Sequence, residues 1–191
     1  MSRRLEAICS GDANCVEEVK SAVREIKALF SMEIPQPKLS SEVPPLVDRV
    51  ENIGEITEAI GDGHLAKLLV AARLAARYGV KFSDWTGDRC PICGNTPSLF
   101  LVRPRPGAFF EGREKVAKCV CGFTWRYVWW RCPSCGSEGR ENFDVFFKEG
   151  LDGVTILRCR RCGFAQVEIQ GELDEEDEYG LRILAGYVAR R

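Results

Sequence analysis

A chain of 191 residues has room for one domain or two small ones. Its 45% hydrophobic and 29% charged residues match a soluble globular protein and exclude a disordered one. The 27 basic and 28 acidic residues leave a formal charge of −1, which argues against a dedicated nucleic-acid binder with its strong basic excess.

The opening residues, Met1-Ser2-Arg3-Arg4-Leu5-Glu6, run into no apolar stretch, so no signal peptide is expected. Residues 1–85 read as a helical domain. Asn14 is positioned to cap a helix running to Ala28 or Phe30, with Val16, Val19, Val23, Ile26, Leu29 and Phe30 at helical spacing. Prolines 35, 37, 44 and 45 break the pattern. Ser41 with Pro44-Pro45 then opens a second helix carrying Leu46, Val47, Val50, Ile53 and Ile56. A third helix is expected from His64 to Tyr78, ending at Gly79. Three apolar stripes sharing one core give a small bundle. The longest apolar run, 65–76, is broken by Lys67 and Arg73, so no membrane span is expected. Cytoplasm is the default location, where reduced thiols suit metal binding. Cys9 and Cys15 are spaced too widely for a metal knuckle and read as a short-loop disulfide or two free thiols. His64, the only histidine, reads as structural, with a spare ligand role as its alternative. Arg outnumbers Lys while Asn and Gln are scarce, a composition that leans toward a thermophilic source.

From Arg89 the pattern changes. Four close cysteine pairs follow: Cys90-Pro-Ile-Cys93-Gly, Cys119-Val-Cys121-Gly, Cys132-Pro-Ser-Cys135-Gly and Cys159-Arg-Arg-Cys162-Gly. Two thiolates on a tight turn converge on one ion, and the following glycine takes the positive φ that turns backbone amides toward the sulfurs. The alternatives are structural disulfides or buried free thiols, but four knuckles in one window are hard to reach by chance. Eight thiols make two tetrahedral four-cysteine sites, for zinc or iron. Strands are expected at 98–103, 143–147 and 154–157, with a turn at Pro104, Pro106 and Gly107; 123–130 is aromatic and β-prone, 115–118 leads into the second knuckle, and 165–169 follows the last. Cys-Pro-x-Cys-Gly opens each half of the region, and a cysteine followed by Gly-Phe closes it. The repeat favours two tandem ribbons, 86–130 using Cys90, Cys93, Cys119 and Cys121, and 131–171 using Cys132, Cys135, Cys159 and Cys162, over a cross-brace. Arg131, Arg158, Arg160 and Arg161 stand beside the sulfurs, where they would stabilise thiolate charge or form a docking surface. Trp125, Tyr127 and Trp129 share a strand face and read as core, with base stacking as the alternative. Residues 172–191 read as an acidic C-terminal helix, with Glu172 to Glu178 at its start and Arg190-Arg191 at its end, matching the helix dipole.

The fold class expected is therefore α+β: an N-terminal helical bundle, two tandem rubredoxin-like four-cysteine ribbons and a C-terminal helix. A closed four-thiol site has no open position for water activation, and no phosphate loop, nucleophile triad or carboxylate pair is present, so no enzyme is expected. A metal-binding accessory protein, a rubredoxin-type iron redox protein and a zinc-ribbon nucleic-acid binder remain as readings.

In this order, the helical preface, the knuckles Cys90 to Gly94, the spacing Cys121-Trp125-Cys132, the knuckles Cys132 to Gly136 and Cys159 to Cys162, and the acidic tail resemble the formate dehydrogenase accessory protein family, FdhE. The resemblance implies a cytoplasmic assembly factor with two rubredoxin-like metal folds and the eight cysteines as ligands. It implies a protein partner, the catalytic subunit of a formate dehydrogenase or a related molybdenum or tungsten oxidoreductase, and no nucleic acid or membrane. The chain is short for that family, chiefly in its N-terminal half. It departs from the family at the second knuckle, where C-x-x-C would place a ligand at Lys118. The C-x-C at Cys119 and Cys121 is expected to distort the first site, change its metal or reduce its coordination.

Overall fold

The computed structural model describes residues 3–105, 112–171 and 173–189. Met1-Ser2, the turn expected at Pro106 and Gly107, the acidic Glu172 and the basic pair Arg190-Arg191 lie outside the described residues. A short helix, α1 (Arg3–Ile8), precedes the first expected one. A disulfide between Cys9 and Cys15 links its end to α2 (Ala13–Ser31). The cap of α2 is Asp12, not Asn14: Asp12 Oδ1 accepts from the amides of Asn14 at 2.9 Å and Cys15 at 3.5 Å. Asn14 is already inside the first turn.

The expected second helix is split. Leu46–Arg49 forms a 3₁₀ turn, and α3 begins only at Ile53 and runs to Ile60. The cause lies in the Pro-rich segment: Val50 bridges antiparallel to Leu39, the Glu51 amide donates to the Lys38 carbonyl at 2.8 Å and the Arg49 carbonyl accepts from the Ser40 amide at 2.9 Å, which takes this backbone out of a helical ladder. The Leu46 and Val47 amides, which a helix start leaves free, donate to the carbonyls of Pro91 and Ile92 at 3.0 and 2.9 Å and tie the turn to the first cysteine knuckle. The Asn52 side chain accepts from the Lys38 amide and donates to the Gln36 carbonyl, holding the Pro-rich segment alongside. Helix α4 (Gly63–Tyr78) is capped by Asp62, which accepts from His64 and Leu65 amides at 2.8 Å each.

Six strands form one sheet: β1 (Leu99–Pro104), β2 (Arg113–Lys118), β3 (Thr124–Tyr127), β4 (Phe143–Phe146), β5 (Val154–Cys159) and β6 (Ala165–Gln170). Their order is β3-β2-β1-β6-β5-β4. Each ribbon is an antiparallel meander, as the repeat leads one to expect. The two are joined where β1 pairs parallel with β6, Leu99 facing Val167 and Leu101 facing Ile169. Opposed residues share a sheet face, so the register assigns the cores. Phe100, Ala117, Trp125 and Tyr127 face the N-terminal helices, packing with Leu46, Ile56, Val70 and Leu74. Leu99, Ile156, Val167 and Ile169 face the other way, against Leu181 and Ala185 of α5 (Glu175–Ala189). The N-terminal helices thus cover one face at the β3 end of the sheet, and α5 covers the opposite face over β6 and its neighbours β1 and β5. The C-terminal helix also contacts α1 and α2, through an Arg4–Asp177 ion pair of 3.7 Å and a Lys27–Glu175 pair.

Candidate metal centres

Each ribbon brings its two knuckles together at one end. Cys90, Cys93, Cys119 and Cys121 form one group, and Cys132, Cys135, Cys159 and Cys162 a second; within each, all four sulfurs lie within 4.8 Å of one another. Adjacent knuckles group, with no sharing across the ribbons. Close contacts run from Cys90 to Cys121 at 3.6 Å, Cys93 to Cys119 at 3.3 Å, Cys132 to Cys162 at 3.6 Å and Cys135 to Cys159 at 3.7 Å. A disulfide requires about 2.05 Å. Four thiolates at about 2.3 Å from a tetrahedral ion are about 3.8 Å apart. The donor set and its spacing therefore fit one zinc or iron ion per group.

Local backbone chemistry positions the sulfurs. In the three C-x-x-C knuckles the glycine amide donates to the first cysteine's carbonyl, at 2.9 Å from Gly94 to Cys90, 2.9 Å from Gly136 to Cys132 and 2.8 Å from Gly163 to Cys159. The first cysteine's amide donates to the residue beyond the glycine, Asn95, Ser137 or Phe164. The C-x-C knuckle keeps both bonds in a loop one residue shorter: Gly122 donates to Cys119 at 3.0 Å, and Cys119 donates to Phe123 at 2.9 Å. All four glycines have positive φ, between 71° and 86°. The shortened knuckle thus still delivers two sulfurs, and the first group is four-membered. Lys118, where a C-x-x-C would have put its ligand, ends β2 and pairs with Glu178 at 2.8 Å.

Four thiols packed this closely cannot all ionise without a counter-charge. Contact with the Cys119 sulfur holds Cys93 low, and contact with the Cys121 sulfur does the same for Cys119. Cys90 and Cys121 are pushed up, each first by the Cys119 sulfur and further by burial. In the second group burial pushes Cys132 and Cys159 up, although the amides of Ser134, Cys135, Arg161 and Cys162 point at their sulfurs and oppose it. Burial raises Cys162 too, but the Phe164 amide and the neighbouring sulfurs outweigh it and hold that thiol low. A divalent cation resolves this conflict by drawing all four into the thiolate form.

The other residues singled out in the sequence lie elsewhere. His64 is exposed in the first turn of α4 and joins neither group. Two of the arginines expected beside the sulfurs are engaged by carboxylates. Arg131 donates to Asp88 through Nε and Nη2 at 2.7 and 2.8 Å, and to Glu138 at 2.6 Å; Arg160 donates to Asp144 at 2.8 Å. Asp88 also accepts from the Tyr127 hydroxyl at 2.7 Å. Trp125 and Tyr127 are core, with the Trp125 indole N–H donating to the Gly87 carbonyl at 3.0 Å. The strand ends at Tyr127, so Trp129 leaves that face and is exposed. The sequence reading missed Lys115, a fully buried lysine on β2. Its Nζ lies 2.7 Å from Glu168 Oε1 and 3.3 Å from Gln166 Oε1, both on β6, and 4.2 Å from the Phe100 ring centroid. Nothing local in Arg113 to Lys118 signals this, because its partners sit on the strand beyond β1.

No protein-family model matches the chain. A protein described as an FdhE homolog from Aquifex aeolicus is 32% identical over 85 residues, 44% of this chain and 29% of that protein. The alignment therefore spans less than a third of the relative's length. The crystal structure of the FdhE protein from Pseudomonas aeruginosa superposes with a TM-score of 0.53 over 98% of this chain and 90% of that one, at 16% identity. The chain is thus homologous over that stretch to an FdhE homolog and shares the fold of an FdhE protein, as a diverged relative. Among the described residues no helix is long and apolar enough to cross a membrane.

Proposed function

We propose that this chain is a non-enzymatic accessory factor that acts in the cytoplasm. It binds the catalytic subunit of a formate dehydrogenase, or of a related molybdenum or tungsten oxidoreductase, during maturation. Cys90, Cys93, Cys119 and Cys121 hold one structural ion, and Cys132, Cys135, Cys159 and Cys162 hold the other. The observation that carries the reading is the pair of four-thiol groups, each complete within its own ribbon. Four thiolates close the coordination sphere, so the ion has no position left for water or substrate and serves to hold the ribbon. The sequence similarity to an FdhE homolog supports this kind of client.

The test is capture from a native extract, paired with metal analysis of anaerobically isolated protein. Recovery of an oxidoreductase subunit, together with two equivalents of zinc or iron per chain, is the expected result. Recovery of ribosomes or polymerase alone overturns the accessory role. A chain isolated with its eight thiols free and no metal overturns the ligand assignment. If the ion is iron, the protein is red and bleaches with dithionite.

A further inference from the structure

The free edge of β3 and the last two turns of α4 form the sides of an open groove of about 600 Å³. The strand β3 is terminal in the sheet. Its register pairs Ala117 with Trp125 and Lys115 with Tyr127, and the Cys119 amide donates to the Phe123 carbonyl. In an antiparallel pair the hydrogen-bonded positions alternate, so the odd-numbered residues turn their backbone groups to β2. Thr124 and Arg126 therefore aim their N–H and C=O groups outward, and no described residue takes them.

The facing wall is built from Ala72, Ala75, Ala76 and Gly79, three, four and seven positions apart and so on one helix face. Their small size leaves the width that a larger side chain would fill. Just past the end of α4 the two sides come together, since a Cβ on Gly79 would lie 3.5 Å from the ring of Phe123, the residue before β3. The charged residues lining the groove are both arginines, Arg103 and Arg126. They share one carboxylate, Glu114, at 2.7 and 3.3 Å; the guanidinium side chains are 56% and 70% exposed and the carboxylate only 9%. The groove is left with a positive excess.

The geometry points to a docking groove for an extended, acidic segment of a partner protein, which joins the sheet as a seventh strand beside β3. The open donors and acceptors of Thr124 and Arg126 take its backbone, the alanine wall accepts small side chains on one side, and Arg103 and Arg126 take its carboxylates. This rests on the accessory-factor reading and deepens it by naming where the client is held and by what kind of segment.

The test uses the full chain as isolated, panned against a phage-displayed random nonapeptide library. Enriched peptides are expected to be rich in Asp and Glu. Arg126→Glu and Ala76→Trp, both at exposed positions, are expected to weaken their binding by roughly tenfold or more with metal content and circular dichroism unchanged. N-methylation of alternate peptide amides should abolish binding, while methylation of the intervening ones leaves it intact. Absence of enrichment, or enriched peptides that bind both variants as well as the wild type, overturns the groove. An oxidoreductase subunit captured equally by the wild type and both variants also removes the groove and leaves the accessory role standing. Peptides bound through the groove, with no oxidoreductase recovered, keep the groove and remove that role.

Discussion

Lys115 reaches across β1, over the Phe100 ring, to Glu168 on β6, with none of its side chain exposed. Burial pushes its pKa below the usual lysine range, against the raising effect of Glu168 and, more weakly, of the nearby Cys132 sulfur. Removing one member of a buried pair leaves the other uncompensated, so Lys115→Met is expected to cost about 3 kcal/mol, and adding Glu168→Leu should recover most of that. Urea melts of the single and double variants check it. The pH dependence has a definite sign. With its folded pKa depressed, Lys115 binds its proton more weakly in the folded chain, so wild-type stability relative to Lys115→Met rises as pH climbs through the folded pKa. It levels off above the unfolded value of about 10.4. A difference that stays flat between pH 7 and pH 10.5 would show that the ammonium is not strained by burial. The eight cysteines were legible because a thiol knuckle is a local object, complete in five residues. Lys115 was not, because Gln166 on β6, with β1 between, is 51 residues away and is brought within reach only in the folded sheet.

Among the elements, α4 matched its expected bounds because the apolar stripe, the Asp62 cap and the Gly79 terminus agree. The Asp62 cap accepts from two amides, so Asp62→Ala is expected to destabilise by about 1 kcal/mol, read as a lower urea midpoint with unchanged slope. The segment around Leu46 to Ile56 misled the sequence reading for a different reason. Its apolar spacing is helical, but the Leu39–Val50 bridge and the bond from the Glu51 amide to the Lys38 carbonyl take the backbone out of the ladder between Arg49 and Ile53. Asn14 likewise satisfies the composition of a cap, yet Asp12 is nearer the turn made by Ser10 and Gly11, whose φ values of 55° and 80° reverse the chain there. Both errors arise where a tertiary or turn contact overrides a sound local preference.

At the scale of the whole molecule, the parallel β1–β6 pairing makes one sheet from two ribbons that the repeat suggested were self-sufficient. Each ribbon's pattern of strands and knuckles was visible in the repeat; the joint was not, since parallel neighbours carry no local turn signature. The coupling has a measurable result. Cys132 is fully buried, and Cys132→Ser should release the second ion and unfold its ribbon, because binding and folding are one process in small metal sites. Hydrogen exchange should then show protection lost in β5 and β6 and also in β1, which belongs to the other ribbon. Unchanged protection of β1 would show that the two halves fold independently.

The same joint bears on how the chain is made. About seventy residues separate β1 from the strand that flanks it, so during synthesis at roughly 5–20 residues per second the first hairpin stands with a bare side for several seconds. An ion captured early can stiffen that hairpin but cannot cover its flank. The interval in which a ribosome-bound intermediate can pair with the wrong neighbour is therefore set by chain growth, whatever the supply of metal.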